Sequence, residues 1–219
     1  MRRPEFIARQ ARRPTGWLGR AIGRVMAIET AVANDAVLDL LHLRPTDRVL
    51  EIGFGHGRTV ARAAQRVPQG AVAGIDHAEV LLHSARRRCA ALIASGRVQL
   101  ECADSAHLPF PGAAFDKALA VHTLYFWQPP APHLREIRRV LVAGGCLVLA
   151  YRPAGTRGTT DFPSDVYTFY QPEHVRDLLV AAGFGAIETL QHSPDLVFTV
   201  AHVEPRDNIS VPDPEEAIQ

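Results

Sequence analysis

Lysine is nearly missing from this sequence: of 24 Lys+Arg in 219 residues, Lys117 alone is a lysine. The basic side chains are almost cancelled by 23 Asp+Glu, leaving a formal net charge of +1. The chain-wide basic field expected of a protein that lives on nucleic acid phosphates is therefore absent, and nucleic acid is disfavoured as a partner. Cysteine is scarce too. Cys89, Cys102 and Cys146 are odd in number, far apart and form no C-x-x-C pair. They support neither a disulfide framework nor a zinc site, no metal is expected, and a reducing cytoplasm fits best. The longest apolar run, Val140 to Tyr151, falls well short of the roughly 18 residues that suggest a membrane span. Arginines near the N-terminus are not followed by an apolar stretch and a small-residue cleavage site, so no secretory signal is expected and the Asn208-Ile-Ser210 sequon carries no weight. What is present is a chain 47% hydrophobic, sized for one domain with a substantial core.

Between residues 48 and 150, short runs rich in Val, Ile and Leu alternate with longer segments of helical period, which predicts parallel strands joined by crossover helices. Strands are expected at Arg48–Ile52, Ala71–Ile75, Val98–Cys102, Lys117–Val121 and Cys146–Tyr151. The helices between them are expected at Thr59–Val67, Ala78–Ser95 and His133–Leu141, with Gly144-Gly145 as a turn. The stretch from Pro153 to Pro172 reads as a lid or substrate loop. A helix from Pro172 to Ala182 and two strands, Ala186–Gln191 and Leu196–His202, read as a terminal hairpin. Three parts are expected: a basic segment over residues 1–30, an α/β domain over 31–203, and an acidic tail over 204–219 that is read as frayed.

Residues 1–26 hold seven arginines against one acid. On a helical wheel Trp17, Leu18, Ala21, Ile22 and Val25 gather on one side, opposite Arg20 and Arg24. The first reading is a lid that packs this apolar face onto the domain; the alternative is a peripheral membrane contact.

The informative stretch is Val49-Leu-Glu-Ile-Gly-Phe-Gly-His-Gly-Arg58. Gly53, Gly55 and Gly57, directly after a strand, let the chain turn sharply and let a nucleoside-type ligand approach the backbone. The spacing is G-x-G-x-G, with Arg58 where a dinucleotide fingerprint continues toward its third glycine, so NAD is disfavoured. Glu51 would repel a pyrophosphate but accept hydrogen bonds from an ammonium group. Asp76, nineteen positions beyond Gly57 at the end of the second strand, can take both ribose hydroxyls. Asp104, at the end of the third, can accept from an exocyclic amine. The same two aspartates also suit helix N-caps. Together the three acids suit a ligand with an amino acid part, a ribose and an adenine, and no phosphate. Cys102 reads as a small buried residue.

With these residues in place, the sequence resembles the class I S-adenosylmethionine-dependent methyltransferases, especially the branch of ubiquinone and menaquinone biosynthesis (methyltransferase domain 11 type), over about residues 35 to 200. The resemblance rests on Glu51-x-Gly53-x-Gly55-x-Gly57, Asp76, Ala103-Asp104-Ser105, Leu108-Pro-Phe-Pro before Phe115-Asp116-Lys117, and Gln171-Pro-Glu with Ala181-Ala-Gly-Phe184. It implies a Rossmann-like, seven-stranded, mostly parallel α/β sheet with helices on both faces and an antiparallel terminal hairpin. It also implies S-adenosyl-L-methionine as cofactor and S-adenosyl-L-homocysteine as product. The cofactor-binding set is then Glu51, Gly53, Phe54, Gly55, Gly57, Asp76, His77, Asp104, Ser105 and Val121. His122 is the candidate base, with Tyr125 as second catalytic candidate and His133 behind them. Trp17, Phe126, Trp127, Tyr167 and Tyr170 are the candidate substrate contacts, core packing being their alternative role. No Asn/Asp-Pro-Pro-Tyr/Phe or Pro-Cys motif follows the fourth strand, so a small-molecule or lipid-like acceptor is expected, methylated by in-line displacement. A non-catalytic S-adenosylmethionine-binding or membrane-associated module is the alternative.

Overall fold

A computed structural model describes residues 4–204; Arg2, Arg3 and nearly all of the acidic tail lie outside the described residues, as do the side chains of Leu18, Arg20 and Arg24. Three helices come first: α1 (Glu5–Arg12), α2 (Gly16–Glu29) and α3 (Ala31–Leu40). An alternating unit follows: β1 (Arg48–Ile52), α4 (Arg58–Arg66), β2 (Ala71–Asp76), α5 (Glu79–Arg88), α6 (Ala90–Ala94), β3 (Val98–Cys102), β4 (Phe115–Val121), α7 (Ala131–Val140) and β5 (Leu141–Tyr151). The chain ends in α8 (Pro172–Ala181), β6 (Gly185–Ser193) and β7 (Leu196–His202).

The seven strands form one sheet in the order β3-β2-β1-β4-β5-β7-β6. Strands β1 to β5 pair in parallel, while β7 runs antiparallel between β5 and β6. The fold class and the terminal hairpin are those the sequence implies. Strand alternation divides two cores. Leu50, Ile52, Ala118, Ala120, Leu147 and Leu149 face Leu134 and Ile137 of α7 and Val175 and Leu179 of α8. Val49, Val72, Leu119 and Val148 face Val37 and Leu38 of α3, Val60 and Ala63 of α4, and Leu82 and Ala85 of α5. With both faces covered, the central strands read as continuous apolar runs, not as alternating ones.

Some boundaries move. The single helix expected over 78–95 is broken at Cys89, whose φ of −96° and ψ of 13° leave the α-helical range, so α5 and α6 are separate. Gly144-Gly145 do not end a helix–strand turn. They sit inside β5, where the register against β4 slips between Phe115/Leu141 and Lys117/Cys146.

The N-terminal segment departs most from expectation. Its helices α1 and α2 part around Pro14, and among the fully described residues of α2 it is Gly23 that comes closest to the domain. Gly19 and Gly23 are buried, and a Cβ on Gly23 would stand 2.9 Å from His56 Nε2 and 3.2 Å from Leu81 Cδ2. The absence of a side chain at Gly23 permits this approach, and Trp17 (73% exposed) and Val25 (55% exposed) point away from the domain. No helix among the described residues is long and apolar enough to cross a membrane.

Candidate functional site

The sheet reverses its strand order between β1 and β4, and ligands of open α/β sheets bind in the crevice at that point, beyond the carboxyl ends of the strands. A cavity of about 590 Å³ lies there. Its floor is the turn after β1. Gly53 N–H and Phe54 N–H both donate to Ile75 O, at 2.7 and 3.3 Å, which ties that turn to β2. The three glycines do three different things. At φ of +82°, Gly53 abuts Thr123, whose Cγ2 would clash with an added Cβ; a Cβ on Gly57 (φ +73°) would stand 2.9 Å from Ala85 of α5; a Cβ on Gly55 (φ +53°) would meet nothing within 4 Å among the described residues. Gly53 and Gly55 line the cavity, whereas Gly57 is spent on packing α4 against α5. Arg58 makes a two-pronged pair with Asp35 of α3 (3.1 and 3.0 Å), joined by Arg62 at 2.6 Å. That is what stands at the position next to Gly57.

Glu51 is 4% exposed, and its Oε2 is buried with no hydrogen-bond partner among the described residues. Burial first, and the nearby charge of Asp76 second, push its carboxyl up to about 8. Such a group lacks a cation beside it. Asp76 is also buried; its Oδ2 accepts from Gly55 N–H and its Oδ1 from Ala78 N–H, both at 2.9 Å. Burial raises its pKa while these two N–H groups oppose the rise. Each carboxylate oxygen offers about two lone pairs, so one on each remains for a hydroxyl. The residues fit a ligand that brings an ammonium to Glu51, a ribose to Asp76 and a surface without a Cβ clash to Gly55.

At the far end of the cavity Asp104 Oδ1 accepts from Ala106 N–H at 2.9 Å. Ser105 Oγ meets His133 Nδ1 at 2.7 Å, and the His133 ring stacks on Trp127 with centroids 5.2 Å apart and planes 9° apart. His77, Ser105, Val121, Phe126 and Trp127 all line the cavity, as do Glu51, Phe54, Asp76, Asp104 and His122. Cys102 lines it as well, a correction to its reading as a buried residue: it is exposed at the end of β3, and burial of its surroundings with the charges of Glu79 and Asp76 pushes its thiol up, away from thiolate.

At the end of β4, His122 has a φ of 55° and donates its N–H to Ala150 O at 2.8 Å. Its Nδ1 lies 2.9 Å from Tyr125 Oη, and Arg152 N–H donates to the same Oη at 2.5 Å. Burial first, and the charge of Arg152 second, hold His122 down at about 4. Burial also pushes the Tyr125 phenol above its ordinary range.

Besides Gly57, four expected site residues fall outside the lining: Trp17, Tyr125, Tyr167 and Tyr170. Trp17 points away from the domain. Tyr125, Tyr167 and Tyr170 are 5%, 8% and 9% exposed and belong to the core. With Phe126, Phe162 and Phe169 two of these tyrosines form an aromatic cluster, Tyr125 to Phe169 at 4.9 Å and Phe126 to Tyr167 at 4.9 Å. The Pro153–Pro172 stretch therefore backs the wall of the cavity and contributes no lining residue. The roof comes instead from Ala11, Arg12, Arg13 and Pro14 at the end of α1, with Gly23, Thr30 and Asn34. None of these carries a motif. The glycine spacing on α2 was the one signal available for how the roof sits.

The sequence profile of the methyltransferase domain matches residues 49–145. The chain is 34% identical, over 78% of its own length and 49% of the relative's, to the uncharacterized 37.1 kDa protein in transposon TN4556 of Streptomyces fradiae. It is 30% identical to the demethylmenaquinone methyltransferase of Thermus thermophilus, over 71% of this chain and 70% of that one. Among solved structures, a SAM-dependent methyltransferase from Aquifex aeolicus superposes with a TM-score of 0.67 at 20% identity, covering 78% of this chain and 89% of that one, a likeness of fold. The chain spans less than half the length of most of the first curated relatives it matches. With the sheet order, the G-x-G-x-G turn and these matches together, the chain belongs to the class I S-adenosylmethionine-dependent methyltransferase family.

Proposed function

We propose that the chain binds S-adenosylmethionine in this cavity and transfers its methyl group to a small-molecule or lipid-like acceptor. The observation that carries the reading is the buried Glu51 carboxyl, whose Oε2 has no partner among the described residues, in the same cavity as Asp76 and the open face of Gly55. When bound, the cofactor supplies a sulfonium methyl carbon that an acceptor lone pair attacks in line while the electrons of the breaking bond return to sulfur. Glu51 holds the ammonium, and forming that pair ionises a carboxyl that burial otherwise keeps protonated at pH 7. The lone pair left on each Asp76 oxygen takes a ribose hydroxyl, and Asp104 Oδ2 takes the exocyclic amine. Phe126 and Trp127 present apolar surface that excludes water beside the reacting atoms. The Thermus relative is named for demethylmenaquinone and an Amycolatopsis relative for 27-O-demethylrifamycin SV, which supports an acceptor of the small-molecule class.

Calorimetry on the purified chain tests the reading. S-adenosylmethionine and S-adenosylhomocysteine bind, NADH does not, and Asp76→Ala removes binding from a folded protein. Binding of NADH alone overturns the proposal. The outward-facing Trp17 and Val25, on a segment rich in arginine, support a contact of α2 with an anionic membrane surface. Co-sedimentation with anionic but not zwitterionic vesicles, reduced by Trp17→Ser, is the expected result, and equal sedimentation by the two vesicle types refutes it.

A further inference from the structure

The hydrogen-bond chain at the end of β4 decides what His122 can do. Tyr125 Oη accepts from Arg152 N–H, and its other partner among the described residues is His122 Nδ1 at 2.9 Å. A phenol has one proton to donate, and this phenol keeps it, because burial raises its pKa. That proton therefore goes to Nδ1. A neutral imidazole has one donor nitrogen and one acceptor nitrogen, so with Nδ1 accepting, the ring proton sits on Nε2. Nε2 makes no hydrogen bond among the described residues, and His122 is one of the residues that line the cavity, with Val121, Thr123 and Phe126. A non-glycine residue held at a φ of 55° at this spot is backbone strain that the surroundings maintain.

We infer that His122 donates a hydrogen bond from Nε2–H to an anionic oxygen of the methyl acceptor, with Tyr125 and the Arg152 N–H as the positioning groups that set this tautomer. The inference deepens the proposed methyl transfer and rests on it. It reverses the role that the sequence suggests, since a base needs its lone pair on Nε2. The acceptor class follows: a phenol or enol acidic enough to give its proton to water and arrive as the anion. The anion's oxygen, or a carbon conjugated to it, then forms the new bond to the methyl carbon, the carbon–sulfur electrons stay on sulfur, and no proton has to leave during transfer. The charged and titratable groups that face the ring are Arg152 and Tyr125. The cation of Arg152 disfavours a second proton on the imidazole and favours an anion in front of it.

Nitrogen-15 NMR of the histidine side chains in the ligand-free full chain tests the tautomer, with His122→Gln to assign the signal. In the wild type His122 is protonated at Nε2 and bare at Nδ1 throughout pH 5.5 to 8, and Tyr125→Phe, which removes the donor, yields a mixed tautomer. A wild-type His122 protonated at Nδ1, or one that titrates near neutral pH, overturns the inference. The acceptor half is read with 4-nitrophenol as probe at saturating S-adenosylhomocysteine, because its ionised form is visible by absorbance. The wild type prefers the phenolate over the phenol about tenfold more than His122→Ala does, and His122→Gln, which retains an N–H donor, recovers part of that preference. Equal preference in wild type and His122→Ala, or no spectral change at millimolar probe, overturns it. Failure of S-adenosylhomocysteine to bind would instead defeat the proposed function, while the ligand-free tautomer measurement reads separately.

Discussion

Glu51→Gln is expected to stabilise the ligand-free fold at neutral pH while destroying cofactor binding, and the pH dependence of that gain is what identifies its cause. The folded-state carboxyl is raised from 4.5 to about 8, chiefly by burial. A raised carboxyl leaves its contribution to stability intact below about 4.5 and loses it as pH rises toward about 8. Each unit of that interval is worth about 1.4 kcal/mol, so the wild type carries a penalty on the order of 1 kcal/mol at pH 5 and on the order of 4 kcal/mol at pH 7.5. Glutamine has the same shape and no proton to lose. Its packing and hydrogen bonding add an offset that does not vary with pH, so the informative quantity is the growth of the difference between the two proteins. Urea unfolding at pH 5.0 and 7.5 should show the advantage of Glu51→Gln widening by about 3 kcal/mol, then flattening above pH 8. In a thermal melt this corresponds to roughly 6 to 12 °C for a chain of this size. S-adenosylhomocysteine should raise the midpoint of the wild type and leave that of the variant unmoved. An advantage that is constant with pH would refute the argument, because it would mean that Glu51 is ionised in the free protein and already has a partner.

Gly57→Ala should cost about 1 to 3 kcal/mol of stability, read by urea melts, because a φ of +73° is strained for alanine and the new Cβ meets Ala85 at 2.9 Å. Gly55→Ala should cost about 1 kcal/mol for its φ of +53° and weaken S-adenosylhomocysteine at least tenfold by calorimetry, its Cβ entering the open side of the turn. Asp76→Asn exchanges one acceptor oxygen for an NH₂ that faces a backbone N–H of Gly55 or Ala78, so a loss of about 1 to 3 kcal/mol in urea melts should accompany the loss of binding. Asp35→Ala frees Arg58 and Arg62, which are about a third exposed, and should lower stability by no more than about 1 kcal/mol, an effect that shrinks in 1 M salt.

The sheet, the hairpin and the positions of Glu51, Asp76 and Asp104 at strand ends were legible in the sequence because each is set by local periodicity and by spacing along the chain. Val49, Leu50 and Ile52 read as a strand buried on both faces, and they are buried on both faces. The three glycines were legible as a turn, but their separate duties were not, since the neighbours that distinguish them, Thr123 and Ala85, come from β4's loop and from α5. Tyr167 and Tyr170 lie in the core and not on the cavity lining for a related reason. An aromatic after a strand end reads the same whether it faces the cavity, as Phe126 and Trp127 do, or backs the wall from the core.

At Trp17 and Val25 the fold departs from the helical wheel. Ranking residues by hydropathy puts Trp17 and Val25 on the buried side, yet α2 approaches His56 Nε2 and Leu81 at Gly23, where an added Cβ would crowd both side chains. Close backbone approach outweighed side-chain burial at this contact. The same choice brings Gly23 onto the cavity lining beside residues 11–14 and leaves two large apolar side chains in solvent, where an apolar or membrane partner would meet them. The role of His122 was hidden in the same way. Its identity and its place after β4 suggested a neutral-pH base, whereas the phenol of Tyr125 and the amide of Arg152, three and thirty residues further on, determine which nitrogen carries the proton. Residue type and spacing thus located the chemistry, and the hydrogen-bond partners brought in by the fold set its direction.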